Sequence, residues 1–131
     1  MELQLYIYKA RIVSVYDGDT CSIDIDLGLH TWVHEEKIRL NRINAPELRG
    51  PEREKGVPSR DYLKSLVLDQ EIILQTIKDE KEKYGRYLGE IWVINENGEY
   101  YNVNDKMVAE GYAKYVSYDR GRSVLTVTTQ L

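Results

Sequence analysis

The chain has 131 residues, 42% of them hydrophobic and 31% charged, and this excludes a disordered or membrane-spanning class and sets one soluble domain over 1–131 as the expectation. A net charge of −4 excludes binding of polyanions through a broad basic surface. A lone Cys21 excludes an internal disulfide, and Met1 to Lys9 shows no basic segment ahead of an apolar stretch, so a cytoplasmic setting is expected.

From Leu3 to Tyr16 apolar and polar residues alternate loosely among β-branched and aromatic side chains, which predicts a strand. The tetrapeptide Asp17-Gly18-Asp19-Thr20 reads as a turn, and Ile23, Ile25 and Leu27 then alternate with Ser22, Asp24 and Asp26 in a half-buried strand ended by Gly28. Strand character resumes from Trp32 to Ile43 and stops at Asn44-Ala45-Pro46-Glu47, where Pro46 lacks an amide donor and holds Ala45 out of helical geometry. Tyr62, Leu63, Leu66 and Val67 fall at helical spacing behind Pro58 and Ser59, which suit a helix start. Glu71 to Lys78 and Arg86 to Asn95 predict two further strands, separated by the charged segment Asp79 to Lys83. Asn97-Gly98 favours a turn, and Val103, Met107 and Val108 fit a short helix ending at Gly111. Val124 to Gln130 is β-branched and does not read as a helix. This order predicts an α+β, mainly β fold: a five-stranded OB-type barrel with two helices packed on it, one before the fourth strand and one after the fifth.

Three clusters carry groups that phosphodiester hydrolysis needs: Asp17 to Thr20, Arg39 to Glu47, and Lys83-Tyr84-Gly85-Arg86. The transition state gathers charge on the non-bridging phosphate oxygens, so cations must be held there in advance. Arginine's planar fork donates paired hydrogen bonds to phosphate and stays charged at any working pH, and a carboxylate beside water can serve as general base. Singly, each cluster has an ordinary reading: an Asx turn, a surface arginine covering apolar area, a solvated loop acid, a strand-end charge.

In this order and spacing, the three clusters resemble the staphylococcal nuclease family over about Val13 to Tyr118. Its members carry an Asp-Gly-Asp-Thr turn, then Arg-Leu and an Asp-x-Pro-Glu loop, then Tyr-Gly-Arg. The resemblance implies a calcium-dependent nuclease, other divalent ions being possible, that cuts DNA and possibly RNA to leave 3′-phosphate ends and prefers single strands. It implies Asp19, the Asn44 side chain and the Ala45 carbonyl as metal ligands, Glu47 as the residue that activates or orients the attacking water, and Arg39 and Arg86 as the phosphate clamp. Lys83 and Tyr84 would reach the phosphate on the 3′ side. Leu40 and Leu88, with a tyrosine between Tyr112 and Tyr118, would form an apolar wall for a base. The sequence departs from the family in three places: Asn44 replaces an aspartate, the segment between the Asp17–Thr20 turn and Arg39 is longer, with Asp26-Leu27-Gly28 and Trp32 in a stretched hairpin, and Ser123 to Leu131 offers no match to a third helix. The competing class is a catalytically silent OB-type module that binds single-stranded nucleic acid or a protein, since the fold hosts both. Retention of Asp19, Arg39, Glu47 and Arg86 together favours the enzyme, because a binding module gains nothing from an acid beside a phosphate.

Overall fold

A computed structural model describes residues 4–118 and 125–128. Strands β1 (Ile7–Asp17), β2 (Thr20–Gly28) and β3 (Thr31–Leu40) form an antiparallel meander, and β1 also pairs with β5 (Glu71–Lys81), which pairs with β6 (Tyr87–Ile94). A parallel pairing of β3 with β6, Ile38 to Tyr87 through Leu40 to Gly89, closes these five strands into the expected barrel. Two close approaches make closure possible. A Cβ at Gly89 would stand 2.7 Å from Leu74 Cδ1, and one at Gly18 would stand 2.7 Å from Ala45 Cβ, so both positions require the absent side chain.

Inward residues alternate along the strands and fill the barrel: Ile12, Ile23, Ile38, Leu40, Leu74 and Ile91 are fully buried. Helices α1 (Arg53–Val67) and α2 (Val103–Ala109) contribute Leu63, Val67, Val103 and Met107 to the same core. Short strands complete the order: β4 (Ile43–Asn44) pairs with β8 (Lys114–Tyr118), β8 with β9 (Leu125–Thr128), and β7 (Tyr100–Asn102) with β6. The non-helical reading of Val124 to Gln130 agrees with β9; the remainder of Ser123 to Leu131 lies outside the described residues.

Several boundaries differ from expectation for local reasons. The first strand starts at Ile7 rather than Leu3, because Tyr6 turns into the left-handed region at φ 66°. The run from Trp32 to Ile43 is two strands, broken at Arg42 with φ 70°. The first helix begins five residues earlier than Pro58: Gly50-Pro51-Glu52 forms a 3-10 turn that runs into α1, and Pro58 lies inside the helix on its exposed side, at the cost of one backbone hydrogen bond. The second helix ends as its glycine suggests. Gly111, at φ 84°, sends its amide to the Val108 carbonyl while the Tyr112 amide reaches the Met107 carbonyl, which is a Schellman motif.

The helix α2 is fastened to the barrel by a fully buried amide. Asn104 Nδ2 donates to the carbonyls of Asn41 and Gly89, both at 2.9 Å, and its Oδ1 accepts the Ile91 amide at 3.1 Å. Asn104→Ala should therefore lower unfolding stability by about 3 kcal/mol, since it strands a buried donor and acceptors as well as removing three bonds. Urea denaturation at constant m-value checks this; a loss under about 0.5 kcal/mol, the range of a neutral surface change, refutes the account.

Candidate active site at the barrel mouth

The tight β1–β2 turn, the end of β3, the strand β4 and the β5–β6 hairpin converge at one end of the barrel, so the three separate sequence clusters meet. Asp19 is at their centre and only 6% exposed. Its Oδ2 accepts the Ala45 amide at 2.8 Å, its Oδ1 accepts the Thr20 hydroxyl at 3.0 Å, and Arg39 Nη2 stands 3.5 Å from Oδ2. The Thr20 hydroxyl oxygen in turn accepts a 3.3 Å hydrogen bond from Arg86 Nη1. One chain of contacts, Arg86 to Thr20 to Asp19 to Arg39, thus joins residues 66 positions apart.

The two arginines are held differently. Arg39 is buried, and its Nη1 donates to the carbonyls of Leu40 and Ile43 at 2.8 Å each, while Nη2 reaches Asn44 Oδ1 at 3.3 Å. The carbonyl partners fix the guanidinium in place, and the Asp19 carboxylate 3.5 Å away opposes its charge. Arg86 is part-exposed and forks onto Glu82, with Nη2 3.0 Å from Oε2 and Nε 3.1 Å from Oε1. That hydrogen bonding raises the arginine's pKa. Glu82 also accepts the amides of Tyr84 and Arg86, which shapes the hairpin; against the upward push of burial, its contacts with Arg86 bring its own pKa below the usual carboxylate value.

Asp17 supplies a second buried carboxyl. It accepts the Asp19 amide at 3.0 Å, and burial, together with the adjacent Asp19 charge, pushes its pKa up to about 7. Among the described residues no three His, Cys, Asp or Glu side chains gather in a cluster that could hold a metal. The oxygen donors present are the Asp17 and Asp19 carboxylates, the Asn44 amide and backbone carbonyls, and such a mixed set suits a hard cation of the calcium class. Burial is the main cause of that rise and the Asp19 charge adds to it, and a cation beside the two carboxyls would relieve the second part.

The other expected residues lie around this centre. Glu47 is exposed at the mouth, and its backbone is pressed against α1, where a Cβ at Gly56 would overlap the Glu47 carbonyl. Tyr84 is 71% exposed, with Lys83 Nζ 5.0 Å and Arg86 Cζ 5.5 Å from its ring centroid. Leu88 is half-buried opposite Arg39. The expectation for Leu40 is corrected: barrel closure beside Gly89 leaves it with no exposed surface, so no base can stack on it. Of the tyrosines, Tyr112 stacks on Tyr62 at 4.4 Å, and Tyr115 donates its hydroxyl to Asp105, so both are engaged in packing; the Tyr118 side chain lies outside the described residues. Sequence reasoning assigned no role to Asp17, Thr20 or Glu82. Thr20 and Asp17 stand inside a motif already noticed, and Glu82 is four residues before Arg86, a spacing that reads as a charge pair only once the hairpin brings them together.

A model of the staphylococcal nuclease homologue family matches residues 37–127. The chain is 28% identical to a thermonuclease of Staphylococcus hyicus over 82% of its length and 31% identical to a thermonuclease of Staphylococcus intermedius over 79%. It is 30% identical to an uncharacterized protein of Methanocaldococcus jannaschii over 84%. It spans 59%, 57% and 60% of these relatives in turn, so each is considerably longer than the matching part.

The Glu82 to Arg86 pair gives a pH-dependent stability. A carboxylate whose folded pKa is depressed stabilises the fold above its unfolded pKa and loses that contribution as pH falls through the folded value. Glu82→Gln should thus cost up to about 1 kcal/mol at pH 7, the upper end for a part-exposed pair. The difference from wild type should shrink towards zero well below pH 4, where wild-type Glu82 is protonated as well. Thermal melts of both proteins from pH 3 to pH 8 test this, and a difference independent of pH contradicts it.

Proposed function

Because the chain belongs to the staphylococcal nuclease homologue family, we propose that it hydrolyses phosphodiester bonds of DNA, and of RNA, in a calcium-dependent reaction that leaves 3′-phosphate ends. The observation that carries this reading is the contact chain from Arg86 through Thr20 and Asp19 to Arg39, which holds two cations around one carboxylate at an open barrel mouth. A scissile phosphate lying between the guanidinium groups gains hydrogen bonds from both. Charge that develops on its oxygens meets donors already in position, with no reorganisation at the moment of reaction. Arg86 sits at the more exposed edge and is suited to assist the departing 5′ oxygen; adopting that role requires loosening its fork on Glu82. Glu47, exposed two residues beyond Ala45, would accept or orient the proton of an attacking water.

Asp19, the Asn44 amide oxygen and the Ala45 carbonyl would hold the cation, with Asp17 behind them. A hard cation held by these residues would supply neutralisation of phosphate charge and polarisation of the P–O bonds. Net charge −4 means that the whole-molecule field repels the substrate, so affinity rests on these local cations and is strongly salt-dependent. Single strands would be favoured, because a base must leave its stack to reach apolar surface such as the half-buried Leu88.

Digestion of plasmid and single-stranded DNA with Ca²⁺, Mg²⁺, Mn²⁺ or chelator in parallel tests the reading. Cleavage with Ca²⁺, faster on single strands, is expected; a folded protein that binds single strands and cleaves nothing with any ion is an OB-type binding module. Arg39→Ala and Arg86→Ala should each lower kcat by about 10²–10³-fold, the range for removal of a preorganised donor. Near-normal turnover in either variant removes that residue from the site.

The ligand set makes a separate prediction. With Asn44 in place of the family's aspartate, Asn44→Asp restores a charged oxygen donor and should tighten Ca²⁺ binding by about tenfold, roughly 1.4 kcal/mol. Calorimetric titration of Ca²⁺ into both proteins in the presence of a nucleotide checks this. Equal affinity means that position 44 does not touch the cation.

A further inference from the structure

Beside the site, on the outer face of the barrel, the strand register lays down a groove. Ser14 on β1 is opposite Ser22 on β2, and Ser22 is opposite Lys37 on β3, so one cross-strand row reads Ser-Ser-Lys. The next row towards the barrel mouth pairs Thr20 with Arg39. Two serines are too short to fill the space between taller neighbours, and a cleft of about 390 Å³ results, with Tyr16, Thr20, Lys37 and Arg86 around the serine floor. Tyr16, at the irregularity of β1 between Val15 and Asp17, also lines this cleft and is 55% exposed. Lys37 is exposed as well. The lining contains two cations and no carboxylate, against a whole-chain charge of −4.

The cleft and the site share Thr20 and Arg86, whereas Lys83 and Tyr84 lie outside the cleft. Lys37 and Arg39 are two residues apart on one strand and point to the same side, a separation of about 7 Å along β3. That backbone spacing is comparable with the step between phosphates on an extended single strand, with the Arg39 guanidinium itself turned into the site beside the cleft. The groups around the cleft are those a nucleotide requires: an aromatic face for a base, a cation for a phosphate, and hydroxyls for a sugar.

We propose that this cleft is a second nucleotide subsite, in which Lys37 holds the phosphate next to the scissile one on its 5′ side and Tyr16 stacks on the base between them. The proposal rests on the nuclease reading above, in which Lys83 and Tyr84 take the strand on the 3′ side. It gives the protein a footprint of at least two phosphates and a preference for substrates that extend upstream of the cut. It also supplies an aromatic platform where Leu40, being buried, cannot.

The test uses fluorescence anisotropy of a labelled oligothymidylate of eight residues in chelator, where nothing is cleaved, together with steady-state cleavage of the same strand in Ca²⁺. Tyr16→Ala should weaken binding by about tenfold, the usual effect of removing one stacked ring, and Tyr16→Phe should restore it. Lys37→Ala should weaken binding several-fold and reduce the magnitude of the slope of log Kd against log salt by about 0.7, the value for one phosphate contact on a single strand. Both losses should appear in KM more than in kcat. Lys9→Ala, an exposed lysine at the far end of β1, serves as the control. A lysine with only a structural role leaves the salt slope unchanged, and that result, or an unchanged Kd in both Tyr16→Ala and Lys37→Ala, overturns the proposal. Absence of cleavage by the wild type counts against the nuclease reading instead, and the anisotropy measurements still decide whether the cleft binds the strand.

Discussion

The barrel mouth depends on a carboxylate that is almost out of water. Asp19 is 6% exposed, and an ion so placed is tolerated only when it is hydrogen-bonded and opposed by charge. The Thr20 hydroxyl, the Ala45 amide and the Arg39 guanidinium meet that need from the β1–β2 turn, from the segment after β4 and from β3. Each partner fixes a different piece of backbone relative to the same two oxygens. The turn itself is pressed against helix α1 at Gly18, where any Cβ would overlap the Ser59 hydroxyl, and Ser59 in turn donates to the Tyr112 carbonyl. The electrostatic demand of one side chain therefore sets the relative positions of two strands, a loop and a helix.

A second polar network supports the loop from the other side. Arg42 forks onto Glu90 through Nε and Nη2 and reaches Asp105 through Nη1, and Asp105 accepts the Tyr115 hydroxyl. These bonds tie the left-handed residue between β3 and β4 to β6, α2 and β8, so Ile43 and Asn44 cannot shift without breaking them. Asn104 adds three bonds to the same junction. The result is a division of labour by burial: Asp19 and Arg39 at the centre are buried and held by several partners, whereas Lys37, Lys83 and Tyr84, which would meet a flexible polymer, are exposed.

Charge follows the same division. Acidic residues outnumber basic ones by 22 to 18, so attraction to a polyanion has to be local. Arg39 is fixed by carbonyl oxygens and faces the Asp19 carboxylate, while Arg86 is forked onto Glu82 until something competes for it. An anion entering the mouth would therefore meet one fixed cation and one whose partner can be exchanged, which discriminates against weak ligands and favours a phosphate able to replace a carboxylate fork.

Much of the architecture was legible in the residues themselves. The alternation of Ile23 and Ile25, the glycine at 111 and the turn at Asn97-Gly98 are local patterns, and local patterns are decided by backbone geometry within a few residues, whereas Leu27, expected to continue the alternation, is 47% exposed near the hairpin end of β2. The three clusters were legible only in combination: each is ordinary by itself, and their order and spacing along the chain carry the resemblance. The start of the first helix was misplaced because Pro58 and Pro51 are equally acceptable first-turn residues, and only the packing of Gly56 against the Glu47 backbone selects the earlier one. The burial of Leu40 was invisible, because it follows from the parallel contact of β3 with β6, a pairing between residues about fifty positions apart that no periodicity encodes. The sequence by itself determined which chemical groups are present and on which kind of element each sits. Which of them meet was left to barrel closure, because the distances from Asp19 to Ala45 and from Thr20 to Arg86 are set by long-range strand register.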